Sequence, residues 1–138
     1  MSRPALLIGL AGGTAEARNA IVRSLVRLDL GLVDLLPGVS DHCRPQMEGV
    51  RARALSAALA ESPRRRDPGL IYAHILGEAE AEALRAAGGF VWHLCRPFSR
   101  TVAIRHGELL VTDRLGGQGD HLDPEEALSE VLLKRRGG

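Results

Sequence analysis

The sequence predicts an α/β fold, a three-layer α/β/α sandwich around a mostly parallel sheet, and three observations carry that reading. Short uninterrupted apolar runs alternate with helical patterns of about ten to fifteen residues, the rhythm of βαβ units. Aromatic residues make up only 3% of the chain, so the core falls to Leu, Val, Ile and Ala, which suits strands buried on both faces under alanine-rich helices. Glycine pairs stand where the pattern changes, at Gly12-Gly13 and Gly88-Gly89, as sharp turns between elements require. At 138 residues the chain fits one domain, residues 1–138, and is too short for two ordinary ones.

Ala5 to Leu10 reads as the first strand, with Gly9, Gly12 and Gly13 permitting the turn that follows. A helix is expected from Ala15 to Leu28, with Ala17, Ile21, Ser24, Leu25 and Leu28 on one face and Arg18, Arg23 and Arg27 on or near the other. Gly31 to Asp41 holds Leu32, Val33, Leu35 and Leu36 before Pro37-Gly38, and reads as a second short strand or an apolar loop. Pro45 opens a helix running to about Glu61, with Val50, Ala54, Ala57 and Ala58 as its inner stripe. Ser62 to Pro68 breaks it; the Arg64-Arg65-Arg66 run between two prolines reads as a solvated loop, with a phosphate-gripping loop as the alternative. Leu70 to Leu76 is the next core strand, Glu78 to Ala87 an acidic-started helix ended by Gly88-Gly89, and Phe90 to Cys95 the third strand, closed by Arg96-Pro97. Thr101 to Ile104 and Glu108 to Thr112 form a hairpin, or only the second joins the sheet. Gly116 to Gly119 is a loop. Asp123, Pro124 and Glu126 then spell a capping box for a last helix whose Ala127, Leu128, Val131 and Leu132 face inward, with Lys134, Arg135 and Arg136 at its negative end.

The bulk numbers exclude several classes. A chain 45% hydrophobic and 25% charged, with formal net charge +1, is an ordinary globular composition with no electrostatic reason to bind nucleic acid or an anionic membrane. Its apolar runs are far below the roughly 20 residues that span a bilayer, and its start lacks the order of a secretion signal, so a cytoplasmic protein is expected. Cys43 and Cys95 stand in unlike contexts and are expected as free thiols.

In open parallel sheets ligands bind beyond the carboxyl ends of the strands, here Gly12-Gly13, His74 to Gly77 and Arg96-Pro97. Residues 6 to 20 follow the plan of a phosphate loop with altered letters. Against G-x-x-x-x-G-K-[ST], Gly12 holds the first glycine, but Ala17 replaces the second, Arg18 the lysine and Asn19 the hydroxyl residue. Such a loop works because backbone N–H groups and a helix N-terminus surround an anion while the lysine reaches the outer phosphates. Gly12 and Gly13 retain part of that nest and Arg18 the charge, though as a bulkier planar fork. Ala17 adds a methyl group, Asn19 is a poorer magnesium ligand, and Glu16 repels a phosphate. Gly12, Gly13, Arg18, Asn19 and Arg96 are therefore the candidate nucleotide or phosphate contacts.

These segments resemble the small deoxynucleoside monophosphate kinases of bacteriophages and prophages, which have a P-loop kinase fold. Leu7 through Val22 looks like their opening strand and loop; Leu70 through Pro97, especially Glu80 to Gly89 and Arg96-Pro97, is similar to their second signature; the helix after Leu122-Asp123-Pro124 resembles their last element. The resemblance covers about half the chain and implies a P-loop-kinase-like domain, reduced in size. In an active member it implies ATP and magnesium, with transfer of the ATP γ-phosphate to a deoxynucleoside monophosphate. Here the family's strand-end Asp falls at His74 and its Arg at Leu76, while a Glu survives as Glu80. The first expectation is accordingly a non-catalytic homologue that binds nucleotide or phosphate weakly and acts through contact with other proteins or with a second copy of itself. The alternative is an active small kinase in which Arg18 replaces the lysine.

The remaining chemistry-bearing residues read more plainly. His74 at a strand end is a candidate base, though a lone loop histidine is usually inert. His93 and Cys95 alternate along a core strand, and Trp92 reads as packing. Asp41-His42-Cys43 and Asp120-His121 are metal-ligand types without paired spacing, so no metal is expected.

Overall fold

The computed structural model describes residues 6–35, 47–61, 69–114, 116–117 and 119–137. Within them the chain runs β1 (Leu6–Gly12), α1 (Ala15–Val26), β2 (Leu32–Asp34), α2 (Glu48–Glu61), β3 (Gly69–Ile75), α3 (Glu78–Ala86), β4 (Phe90–Leu94), β5 (Leu109–Leu110) and α4 (Pro124–Gly137). The strands form one sheet in the order β2-β3-β1-β4-β5, every pair parallel.

The sheet is covered on both faces. Leu6, Ile8 and Leu10 of β1 pack with Trp92 and Leu94 of β4 against Ile21, Val22 and Leu25 of α1 and Ala127, Leu128 and Val131 of α4. Leu7 and Ala11 pack on the other side with Tyr72, Ile75 and Val91 against Leu55 of α2 and Ala81 and Leu84 of α3. This is the expected three-layer sandwich. Period-two alternation assigns neighbouring residues of β1 to different layers, and burial of all seven explains the absence of polar letters in the run. Gly9 lies where α3 comes closest: a Cβ there would collide with Ile75 and Leu84.

Several details differ from expectation. Of Gly31 to Asp41, Leu32–Asp34 forms a strand, β2, and residues 36–41 lie outside the described ones; the reading of residues 101–112 resolves as the second alternative, with only Leu109–Leu110 joining β4 and Val111 bridging to Leu122. Arg18 is buried, not on an outer face, because the inward stripe of α1 is Arg18, Ile21, Val22 and Leu25 at helical spacing. In α2 the inward positions are Arg51 and Leu55; Val50 is half exposed and Ala54 and Ala57 face outward. The larger Leu55, and an arginine drawn in by Glu80, take the inward positions from Ala54 and Ala57, while Ala58 remains half-buried. On α4 Leu132 is exposed, since Pro124, Ala127, Leu128 and Val131 already complete the buried stripe. Pro45, the Arg64-Arg65-Arg66 run and Cys43 lie outside the described residues, whereas Cys95 is a half-buried free thiol. No helix of the described residues is long and apolar enough to cross a membrane.

The capping box of α4 forms as read. The Glu126 N–H donates to Asp123 Oδ1 at 2.8 Å and the Asp123 N–H to Glu126 Oε1 at 3.2 Å. In α3 the capping position is Gly77, which has no side chain to offer, and Glu48 from the start of α2 substitutes: its Oε1 accepts the Ala79 N–H at 3.0 Å. A Cβ at Gly77 would crowd that carboxylate.

Candidate functional site

β1 is the central strand, with β3 on one side and β4 on the other. The chain leaves β1 to build one half of the sheet and crosses to build the other, so the switch point lies at the carboxyl end of β1, where the glycine turn begins.

Gly12 and Gly13 both have positive φ, 80° and 64°, a conformation that favours glycine. Their neighbour is protein. A Cβ on Gly12 would collide with the Leu94 carbonyl, and one on Gly13 would meet the Leu94 side chain. The Gly13 N–H donates to the Pro97 carbonyl at 2.8 Å, tying the loop to the turn after β4. That turn includes Arg96 in the left-handed region, φ 68°, and a cis bond to Pro97.

Arg18 lies beneath the same loop and is 5% exposed. Its Nη1 donates to the Gly12 carbonyl at 2.7 Å and to the Gly13 carbonyl at 3.3 Å, while its Nε donates to His74 Nδ1 at 3.1 Å. The cation at the lysine's place in the pattern is thus engaged by loop carbonyls. The bond to Nδ1 fixes the His74 tautomer with its proton on Nε2.

Behind His74 lies a buried polar cluster that the sequence did not announce. Glu80 is fully buried and accepts Arg51 Nε at 2.9 Å, the Tyr72 hydroxyl at 2.5 Å and the Leu76 N–H at 3.2 Å. Arg51 Nη2 also donates to the His74 carbonyl at 2.9 Å. Burial, with the Glu80 carboxylate beside it, pushes the Tyr72 phenol far above its ordinary value, so the hydroxyl remains a donor. Glu80 serves here as the acceptor that binds α2 and α3 to β3.

On the other side of the loop a cavity of about 210 Å3 opens between the first turn of α1 and the ends of β4 and β5. Thr14, Ala17, Cys95, Arg96, Thr112 and Arg114 are among its walls, with Asp113 beside Arg114. Thr14 caps α1, its Oγ1 accepting the Ala17 N–H at 3.0 Å. The earlier first-turn N–H groups have no acceptor within the helix, so the positive end of its dipole faces the cavity.

Of the five candidates, Gly12, Gly13 and Arg18 come together by hydrogen bonds, Arg96 stands across the loop on the cavity wall, and Asn19 is exposed on α1. Thr14, Arg51, Thr112 and Arg114 were missed. Thr14 was readable as a capping residue before a helix; Arg114 had no local signal, because only the path through β5 brings it near α1.

Two further histidines have structural surroundings. His93 is buried, with Nε2 against Glu108 Oε1 at 2.8 Å. His121 stacks on Phe98 with ring centroids 5.8 Å apart. Asp41, His42 and Cys43 lie outside the described residues, among which no group of three His, Cys, Asp or Glu side chains is placed to hold a metal. Comparison with protein-family models, curated proteins and solved structures finds no match for this chain.

Proposed function

We propose that the chain is a non-catalytic homologue of the small deoxynucleoside monophosphate kinases that binds a phosphate-bearing ligand, a nucleotide or free phosphate, weakly at the carboxyl edge between β1 and β4. The observation that carries the reading is the engagement of Arg18 by the Gly12 and Gly13 carbonyls. Phosphoryl transfer depends on a cation free to stabilise charge developing on the outer phosphates, and a guanidinium bonded to its own loop would have to give up those acceptors first. The magnesium of an active kinase does not fit the matching positions. It demands oxygen ligands, whereas the strand-end position is His74 and Asn19 is exposed on α1. Anion binding is supported by the capped N-terminus of α1 opening on a cavity walled by Arg96 and Arg114.

Calorimetric titration with ATP, GTP and deoxynucleoside monophosphates, with and without magnesium, tests this. We expect affinities no tighter than high micromolar, independent of magnesium, weakened by Arg96→Ala and Arg114→Ala, and no transfer of the γ-phosphate. Micromolar magnesium-dependent binding would contradict the proposal. One observation favours the active reading: Arg18 does approach the loop backbone. On that reading Arg18→Ala abolishes nucleotide binding; on ours affinity is unchanged.

A further inference from the structure

The walls of the cavity between α1 and the ends of β4 and β5 do more than attract an anion; they distinguish between anions. Arg96 and Arg114 are both exposed, and among the described residues neither guanidinium makes an ion pair or a side-chain hydrogen bond. A guanidinium only donates. Two threonines add hydroxyl donors. Thr14 Oγ1 accepts the Ala17 N–H at 3.0 Å and Thr112 Oγ1 accepts the Arg114 N–H at 3.3 Å, so each hydroxyl keeps its own proton to give elsewhere. Glu16, in the first turn of α1, is not among the walls.

One wall residue breaks this uniformity. Asp113 stands between Thr112 and Arg114, exposed, and among the described residues its carboxylate forms no ion pair. An ionised carboxylate only accepts. It repels an oxyanion that has shed every proton, and it accepts a hydrogen bond from one that keeps a P–OH group. Sulfate at neutral pH is of the first kind. Phosphate monoesters, whose second pKa is about 6, are mostly of the first kind as well. Inorganic phosphate keeps a proton in both of its neutral-pH forms and is of the second. Size points the same way: the cavity, about 210 Å3, is smaller than the roughly 300 Å3 at which pockets for drug-sized ligands begin. It takes a phosphate ion and leaves the body of a nucleotide outside.

We infer that this crevice selects inorganic phosphate, with Arg96, Arg114 and the two threonine hydroxyls holding the bare oxygens while Asp113 accepts the P–OH proton. The inference rests on the phosphate reading of the crevice and names the ion. It is tested on the full chain by following the Ala15 and Arg114 amide resonances at neutral pH and constant ionic strength. Inorganic phosphate is expected to saturate the shifts at roughly tenfold lower concentration than sulfate or methyl phosphate, as one charge-assisted bond implies. In Asp113→Asn, whose amide can donate to a bare oxygen, and in Asp113→Ala, which removes the charge, the three anions should bind alike. Arg114→Ala should weaken all three. No response to any of the anions overturns the phosphate reading and this inference together. Equal affinity of the unaltered chain for phosphate and sulfate, or a preference for phosphate that survives in both Asp113 variants, overturns the inference and leaves the phosphate reading standing.

Discussion

Arg18 shows how one side chain changes the meaning of a motif. A buried guanidinium needs acceptors for its fork, and the Gly12 and Gly13 carbonyls with His74 Nδ1 supply them. Arg18→Ala leaves those acceptors without their charged donor and should cost about 3 kcal/mol, read as a lower denaturant midpoint, with Arg18→Lys recovering part of the loss. An unchanged midpoint would mean that Arg18 does not hold the loop. Glu80 has a parallel role between Arg51 and Tyr72. Glu80→Gln keeps its shape while removing the buried negative charge that faces Arg51 Nε, and should destabilise by about 1.5–3 kcal/mol in the same assay; a change under about 0.5 kcal/mol would show that the pair contributes little.

At the scale of elements, the reciprocal box at the start of α4 is a local device, and Asp123→Ala should cost about 0.5–2 kcal/mol in thermal or denaturant unfolding. A loss beyond that range would mean that the Gly116 N–H held by Asp123 Oδ2 matters as much as the helix. The segment after β4 is fastened differently. Arg85 from α3 holds Glu108, Glu78, Glu82 and the Ala103 carbonyl together. Burial alone would push the Glu78 and Glu108 carboxyls up, but the Arg85 bonds outweigh it and hold both below the usual carboxylate value of 4.5. A lowered folded pKa gives stability that is complete above the unfolded value and is lost as pH falls through the folded one. Unfolding midpoints should therefore drop below pH 4.5, and Arg85→Met should flatten that acid limb; an equally steep limb in the variant would rule out this strap as its source.

The elements also show what the chain discloses locally. The α4 cap was legible because its donors and acceptors are three residues apart, and β1, β3 and β4 because doubly buried strands leave uninterrupted apolar runs. β5 was ambiguous because two residues pairing in parallel leave no period to read. Charge is a poor guide to the outer face of α1: Arg18 shares the helical spacing of Ile21, Val22 and Leu25 and is buried with them. Arg51, Thr112 and Arg114 were illegible as site residues, since each reaches its place through pairing of distant strands and helices.

The whole molecule puts its candidate chemistry at one edge of a sheet covered on both faces. Two arrangements meet at the switch point: a loop turned inward onto Arg18 and Pro97, and a helix N-terminus turned outward toward Arg96 and Arg114. Their separation is the central claim, because an anion should engage the second and leave the first undisturbed. Backbone amide resonances followed through a titration with inorganic phosphate and then ATP with magnesium read both at once. We expect shifts centred on Ala15, Glu16, Arg96 and Arg114, while the Gly13 amide keeps its position and its slow hydrogen exchange. Shifts centred on Gly12 and Gly13, with loss of Gly13 protection on adding ATP and magnesium, would contradict the account.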